Sequence, residues 1–179
     1  MTTPAEQTPR RSFARGRHAA PSVTADRATL VAFSVATFAL AVPVGMVERV
    51  LRCSTPFIPL DDASGVEGVV HHRGRDVPVV DLRWRLLCPI TPVDANSRII
   101  VCNVQQRWVG ALVDAVSDVL VVEASSIVAP PEFVQGFSAS HLLGMLSHHD
   151  ATVLVVDIAR LLSTGDELAL QHTQQPVVK

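Results

Sequence analysis

Val44-Gly45-Met46-Val47-Glu48-Arg49-Val50-Leu51 and Val113-Asp114-Ala115-Val116-Ser117-Asp118-Val119-Leu120 carry valine at every third position and close on leucine. The likeness extends outward. The first stretch leads to Gly68 and then to Val79-Val80-Asp81-Leu82, followed by Leu86-Leu87. The second leads to Gly144 and then to Val155-Val156-Asp157-Ile158, followed by Leu161-Leu162. The aspartate stands thirteen positions after the glycine in both copies. Two copies of this length are too few and too long for a solenoid, and they predict two similar lobes sharing one core.

Composition supports a β reading. Apolar residues make up 48% of 179 residues, enough to bury a real core, while aromatics are only 4% and Tyr is absent. Valine therefore carries much of the packing, and its branched Cβ suits a pleated strand. Charge is unevenly placed: residues 1–29 hold five Arg against two acids, and residues 30–178 hold nine Arg against fifteen acids. The body is mildly acidic, which argues against nucleic acid as its partner. The basic leader reads as a solvated tail. Cys53, Cys88 and Cys102 form an odd count without a C-x-x-C, and read as buried reduced thiols.

Residues 28–47 are strongly apolar, and Arg10-Arg11-Ser12-Phe13 resembles part of an export signal. Sixteen residues, several of them charged, separate these arginines from the apolar run, whereas an export signal keeps the two close. Ser34, Thr37 and Pro43 interrupt the run, which is marginal for crossing a bilayer. Phe33 and Val35 alternate, as do Phe38, Leu40 and Val42, with a break at Ala36-Thr37. That pattern predicts a hairpin over 30–44.

Further along, Gly45 to Leu51 fits one helical turn or a bent strand, and Thr55 to Val66 reads as a loop. Strands are expected over 66–70 and 77–82 around the His72-Arg73-Gly74-Arg75 turn, with Pro78 demanding an edge or a bulge. A second hairpin spans 98–114, and another strand spans 119–122. A short helix fits 138–143, and a strand pair surrounds His148-His149-Asp150. Thr164-Gly165-Asp166-Glu167 matches a capping box, predicting a helix to His172. Short strands at regular spacing suggest small barrels.

Few residues of the chain fall into a pattern that carries chemistry. His71-His72 and His148-His149 raise a zinc reading, but neighbours on a strand point to opposite faces and no cysteine has ligand spacing to either pair. They read as turn and surface histidines. Asp81 and Asp157 hold matching positions, which favours a shared structural job, capping the turn after each strand, over an acid/base pair. No G-x-S-x-G or phosphate-binding glycine loop is present. A duplicated β unit without a catalytic set points to binding and assembly, and no cofactor or metal is expected. The copies diverge at the turn, Arg73-Gly74-Arg75 against His149-Asp150-Ala151, and an arginine there is a natural anchor for a partner.

These residues resemble the CheW family of chemotaxis coupling proteins. The family signature G-V-x-N-L-R-G-x-x-x-P-V-V-D-L is matched by Gly68 through Leu82, and V-G-x-x-V-D-x-V-S-D-V-L by Val109 through Leu120. Pro131-Glu132-Phe133 and the stretch from Gly144 to Leu162 agree in order and spacing. The resemblance implies a mainly β fold, two SH3-like five-stranded barrels around a shared hydrophobic core with a short C-terminal helix. It covers the domain placed at 29–172, between a basic tail over 1–28 and a C-terminal tail over 173–179. It also implies a non-enzymatic, cytoplasmic adaptor at membrane-associated receptor arrays, without direct membrane insertion. The implied partners are a CheA-type histidine kinase and the cytoplasmic tip of a methyl-accepting chemoreceptor. The receptor-binding set it implies comprises Val47, Arg49, Gly68, His71, His72, Arg73 and Gly74. Three departures stand out: His71-His72 replace Asn-Leu, Arg49 stands where V-x-E-V has its acid, and the first hairpin is about two residues shorter than is usual in the family. Rival readings are a kinase-only decoy or array spacer, an exported or membrane-anchored β protein, and a metal-dependent enzyme.

Overall fold

The computed structural model describes residues 27–53, 57–59, 66–130 and 139–163. Its strands are β1 (Arg27–Val35), β2 (Phe38–Pro43), β3 (Val47–Arg52), β4 (Phe57–Pro59), β5 (Val66–His72) and β6 (Arg75–Asp81). A one-turn helix α1 (Leu82–Arg85) follows, then β7 (Arg98–Val104), β8 (Arg107–Val113), β9 (Ala115–Glu123), β10 (Leu142–His148), β11 (Ala151–Val156) and α2 (Ile158–Ser163).

The strands form two sheets, ordered β10-β11-β2-β1-β9 and β3-β7-β8-β6-β5-β4. Each begins from a hairpin, β1–β2 or β7–β8, whose second strand pairs in parallel with β11 or β6. The registers match between sheets, with Val155 opposite Ala41 in one and Val79 opposite Gly110 in the other. Both sheets curl into barrels. We call the first barrel A and the second barrel B.

The duplication is therefore real, but the two copies are interlaced. Barrel A joins the first copy's opening hairpin to the second copy's β9, β10 and β11. Barrel B joins the second copy's hairpin to the first copy's β3, β5 and β6. Even the irregularities repeat. The β3–β7 register skips Glu48, and the β9–β1 register skips Ser117 at the matching place. Skips before Gly68 and before Gly144 form a second matched pair. Such bulges bend a strand and raise its twist, which closes a small barrel.

Burial explains the apolar run that raised an export reading. Leu30 and Ala41 face a cluster inside barrel A with Leu120, Leu146 and Val155. Val31, Phe33, Leu40 and Val42 face a cluster shared with Ile100, Cys102, Val113, Ile158 and Leu162. A third cluster inside barrel B contains Val70, Val77, Val79, Ile99, Val101 and Leu112. Central strands have an apolar environment on both faces, so they lose the inside-outside alternation of a half-exposed strand. Among the described residues no helix is long and apolar enough to cross a membrane.

Several local expectations change. Gly45 to Leu51 combines the two alternatives: a 3-10 turn over Val44–Met46 gives way to β3, which the bulge at Glu48 bends. The loop over 55–66 contains the short β4, paired with β5. The helix expected over 138–143 is the 3-10 turn Ala139–His141. Pro78 lies in an internal strand, opposite Val69, without a bulge of its own. The ladder to β8 starts one residue later at Val79, so the missing N–H falls just outside it. The capping box at Thr164 and most of both tails lie outside the described residues; β1 itself begins at Arg27.

Candidate functional site

The β5–β6 hairpin builds the candidate site. His72 pairs with Arg75, leaving a two-residue turn in which Arg73 has φ 49° and Gly74 φ 75°. Two successive left-handed residues twist with the flanking strands and hold the arginine at the tip. Its side chain is 58% exposed. The guanidinium Nη1 donates to Glu48 Oε1 on β3. Glu48 is the residue the β3–β7 register skips, and the bulge turns its carboxylate towards the hairpin. The acid that stands one position early in the sequence is thus carried back to the arginine by an extra residue. β3 and the β5–β6 hairpin lie on opposite sides of the sheet order, so their contact also closes the mouth of barrel B.

Other expected site residues separate into groups. His71 is exposed, with Nδ1 3.0 Å from Asp76 Oδ1 across the hairpin. His72 corrects the surface reading: it is only 8% exposed and packs 5.4 Å from the Trp108 ring. A residue on the inward face of β5 follows the apolar alternation whatever its polarity. Gly68 is buried in β5, Arg49 is exposed beside Glu48, and Val47 is half-buried at the start of β3.

A groove of about 300 Å³ lies close by in sequence, where the chain passes from barrel A to barrel B. Pro43, Gly45, Met46, Leu143, Val156 and Ile158 line it, with Asp157 as its charged member. Val44 and Leu143 remain 43% and 53% exposed nearby. This surface can take an apolar partner face.

Under the hairpins lies a buried polar hub. Asp81 caps α1 by accepting from the Arg83 backbone N–H at 2.8 Å. The Arg83 side chain, 3% exposed, binds Asp81 through Nε and Nη2, and Nη1 donates to both oxygens of Thr91 and to Asp114. Asp114 Oδ2 in turn accepts from the Ala36 N–H at 2.5 Å, at the β1–β2 turn of the other barrel. Hydrogen bonding to Asp81 holds the guanidinium above its usual range, so it stays charged. Asp157 caps α2 in the same manner, accepting from the Arg160 N–H at 3.1 Å. The shared capping job expected of the two aspartates is what they perform.

Among the described residues no three metal-binding side chains gather. Burial pushes the Cys102 thiol up to about 12, and desolvation also raises Cys53 and Cys88, which removes their nucleophilic thiolates at neutral pH. Cys53 and Cys88 are only half-buried, unlike the buried thiols expected. Sequence reading missed Trp108, with Arg75 placed 5.1 Å over its ring, and Arg83. An Arg-Trp pair just after the Gln105-Gln106 turn was the available signal for the first.

Residues 29–166 match the CheW-like domain. The chain is 39% identical over 105 residues to the chemotaxis protein CheW of Klebsiella aerogenes, spanning 59% of this chain and 63% of that protein. It is 34% identical over 142 residues to the chemotaxis protein CheW of Rhizobium meliloti, spanning 79% of this chain and 91% of that protein. The scaffolding protein TtCheW of Thermoanaerobacter tengcongensis has the same fold, with a TM-score of 0.70 at 23% identity over 78% of this chain and 95% of its own.

Proposed function

The chain belongs to the CheW-like family, and from that premise we propose that it is a non-enzymatic adaptor in chemotaxis-like signalling. It couples the cytoplasmic tip of a transmembrane chemoreceptor to a CheA-type histidine kinase, at membrane-associated arrays. One observation carries the receptor side. A tight turn in barrel B holds Arg73 outward, braced by Glu48, which stands two residues after Met46 of the apolar groove. A guanidinium on a rigid hairpin offers oriented donors at little entropic cost. Its brace is a partly exposed ion pair worth about 0.2–1 kcal/mol, which a receptor acceptor can displace. The groove supplies apolar area, and the kinase engages a barrel edge. Avidity within an array strengthens modest single contacts.

Arg73→Glu tests the reading. Pull-down with a receptor cytoplasmic fragment and, separately, with the kinase regulatory domain is expected to show loss of the receptor alone, with thermal unfolding unchanged. Unaltered receptor capture would remove Arg73 from the interface. Capture of kinase but never receptor by the wild-type chain would make it a kinase-only spacer.

A further inference from the structure

The mouth of barrel B carries more positive charge than Arg73 alone. Arg75 lies with its guanidinium carbon 5.1 Å from the Trp108 ring centroid, and Arg107 precedes that tryptophan on β8. Arg49 is exposed on β3, next to the bulged Glu48. Among the described residues, Arg49, Arg75 and Arg107 have no carboxylate partner, whereas Arg73 has Glu48.

The strand equivalences show how selective this charge is. In barrel A the positions of Arg49, Arg73, Arg75 and Arg107 are taken by Asp118, His149, Ala151 and Phe38. The position of Trp108 is taken by Ala39. Packing of the shared fold thus requires none of the four cations. Among the described residues, three of the four stay without an acid. Unneutralised like charges at one rim oppose folding, so their placement points outward, to an anionic occupant.

We propose that this mouth docks an acidic protein segment, with Arg75 over the Trp108 ring and Arg49 and Arg107 acting beside Arg73. Identifying that segment as part of the receptor tip rests on the adaptor reading above. Glu48 and the Asp76 carboxylate border the rim and interrupt the cationic surface, which disfavours a continuous polyanionic backbone. A short run of Glu or Asp fits between them.

The first experiment uses the full chain carrying Trp84→Phe, so that Trp108 reports alone. It is titrated by fluorescence with a glutamate-rich peptide and with its glutamine-rich counterpart. Saturable binding is expected for the acidic peptide only, weakening as salt rises. The double variant Arg75→Glu/Arg107→Glu is expected to bind about thirtyfold more weakly, summed over four exposed charge changes. Arg27→Glu, on β1 of the other barrel, is expected to bind like wild type. Arg75→Gln/Arg107→Gln, checked by thermal unfolding, gives a milder loss if the reversed pair does not fold. Equal binding of both peptides, no loss in either double variant, or tighter binding of a single-stranded oligonucleotide would overturn the proposal. The second experiment repeats the series with a receptor cytoplasmic fragment. A fragment held alike by wild type and the double variant overturns the receptor assignment of this mouth and leaves the adaptor reading standing. A fragment held by neither, with the acidic peptide still captured, defeats the adaptor reading and leaves the acidic docking surface.

Discussion

The two barrel mouths share a backbone and differ in almost every exposed side chain. Mouth B is pinned by Arg73 to Glu48 and roofed by His72, Trp108 and Arg75. At mouth A the bulged residue is Ser117, whose hydroxyl donates to the Ala32 carbonyl at 3.2 Å, and the hairpin offers His148 and His149. A pocket of about 330 Å³ opens there over Phe33, Leu40 and Val153. The turns agree too, with Arg73 and His149 both at φ 49°. Bulge, turn and cap are requirements of the barrel, so both copies keep them. Charge and aromatic content are not, so the two mouths are free to differ in them.

The same contrast holds beneath the strands. Asp81 and Arg83 are 1% and 3% exposed, while Asp157 and Arg160 are 25% and 63% exposed. Removing one partner of a buried pair strands a charge, while an exposed pair is replaced by water. Arg83→Ala is therefore expected to lose about 3–5 kcal/mol in denaturant unfolding, because Asp81 and Asp114 keep their charges without it. Arg160→Ala is expected to lose under about 1 kcal/mol. Equal losses would break the comparison.

A smaller effect sharpens it at the parallel ladders. Ala41 in barrel A fits its methyl without exposure, but a Cβ at Gly110 would meet Ile99 Cγ2 at 2.8 Å and Val79 Cγ2 at 3.1 Å. Both contacts are to stiff β-branched side chains. Gly110→Ala is expected to destabilise by about 1–3 kcal/mol through overpacking. A neutral or stabilising result in thermal unfolding would show that barrel B packs more loosely than its contacts imply. Smallest of all, Glu48→Ala is expected to cost under about 1 kcal/mol while freeing Arg73. Hydrogen exchange at the β5–β6 hairpin would rise, with β10–β11 unchanged.

Much of the architecture was legible along the chain. The break at Ala36-Thr37 gave the first hairpin, Arg73-Gly74 gave the turn, and the aspartates gave the caps, because each depends on neighbours a few residues away. Arg73 was legible as a candidate for the same reason. The roof over it was not: Arg75 and Trp108 belong to hairpins distant in sequence, and their contact needs β6 laid beside β8. Nor was the burial of His72, since an adjacent histidine pair reads as polar until the strand's inward face is known. Glu48 looked misplaced by one residue until the bulge accounted for it.

The sequence by itself determined that two copies of one β unit exist, and where their hairpin turns, their aspartate caps and most of their strands fall. Those features follow from local backbone preference and side-chain period. Tertiary structure alone decided which copy's hairpin completes which barrel. Near-identical apolar patterns pair equally well with self or with sibling, so local preference cannot choose. The choice is made where Asp114 alone links β8 to β9. A single residue is too short for a hairpin turn, so the strand runs on into the other barrel and interlocks the halves around their common core.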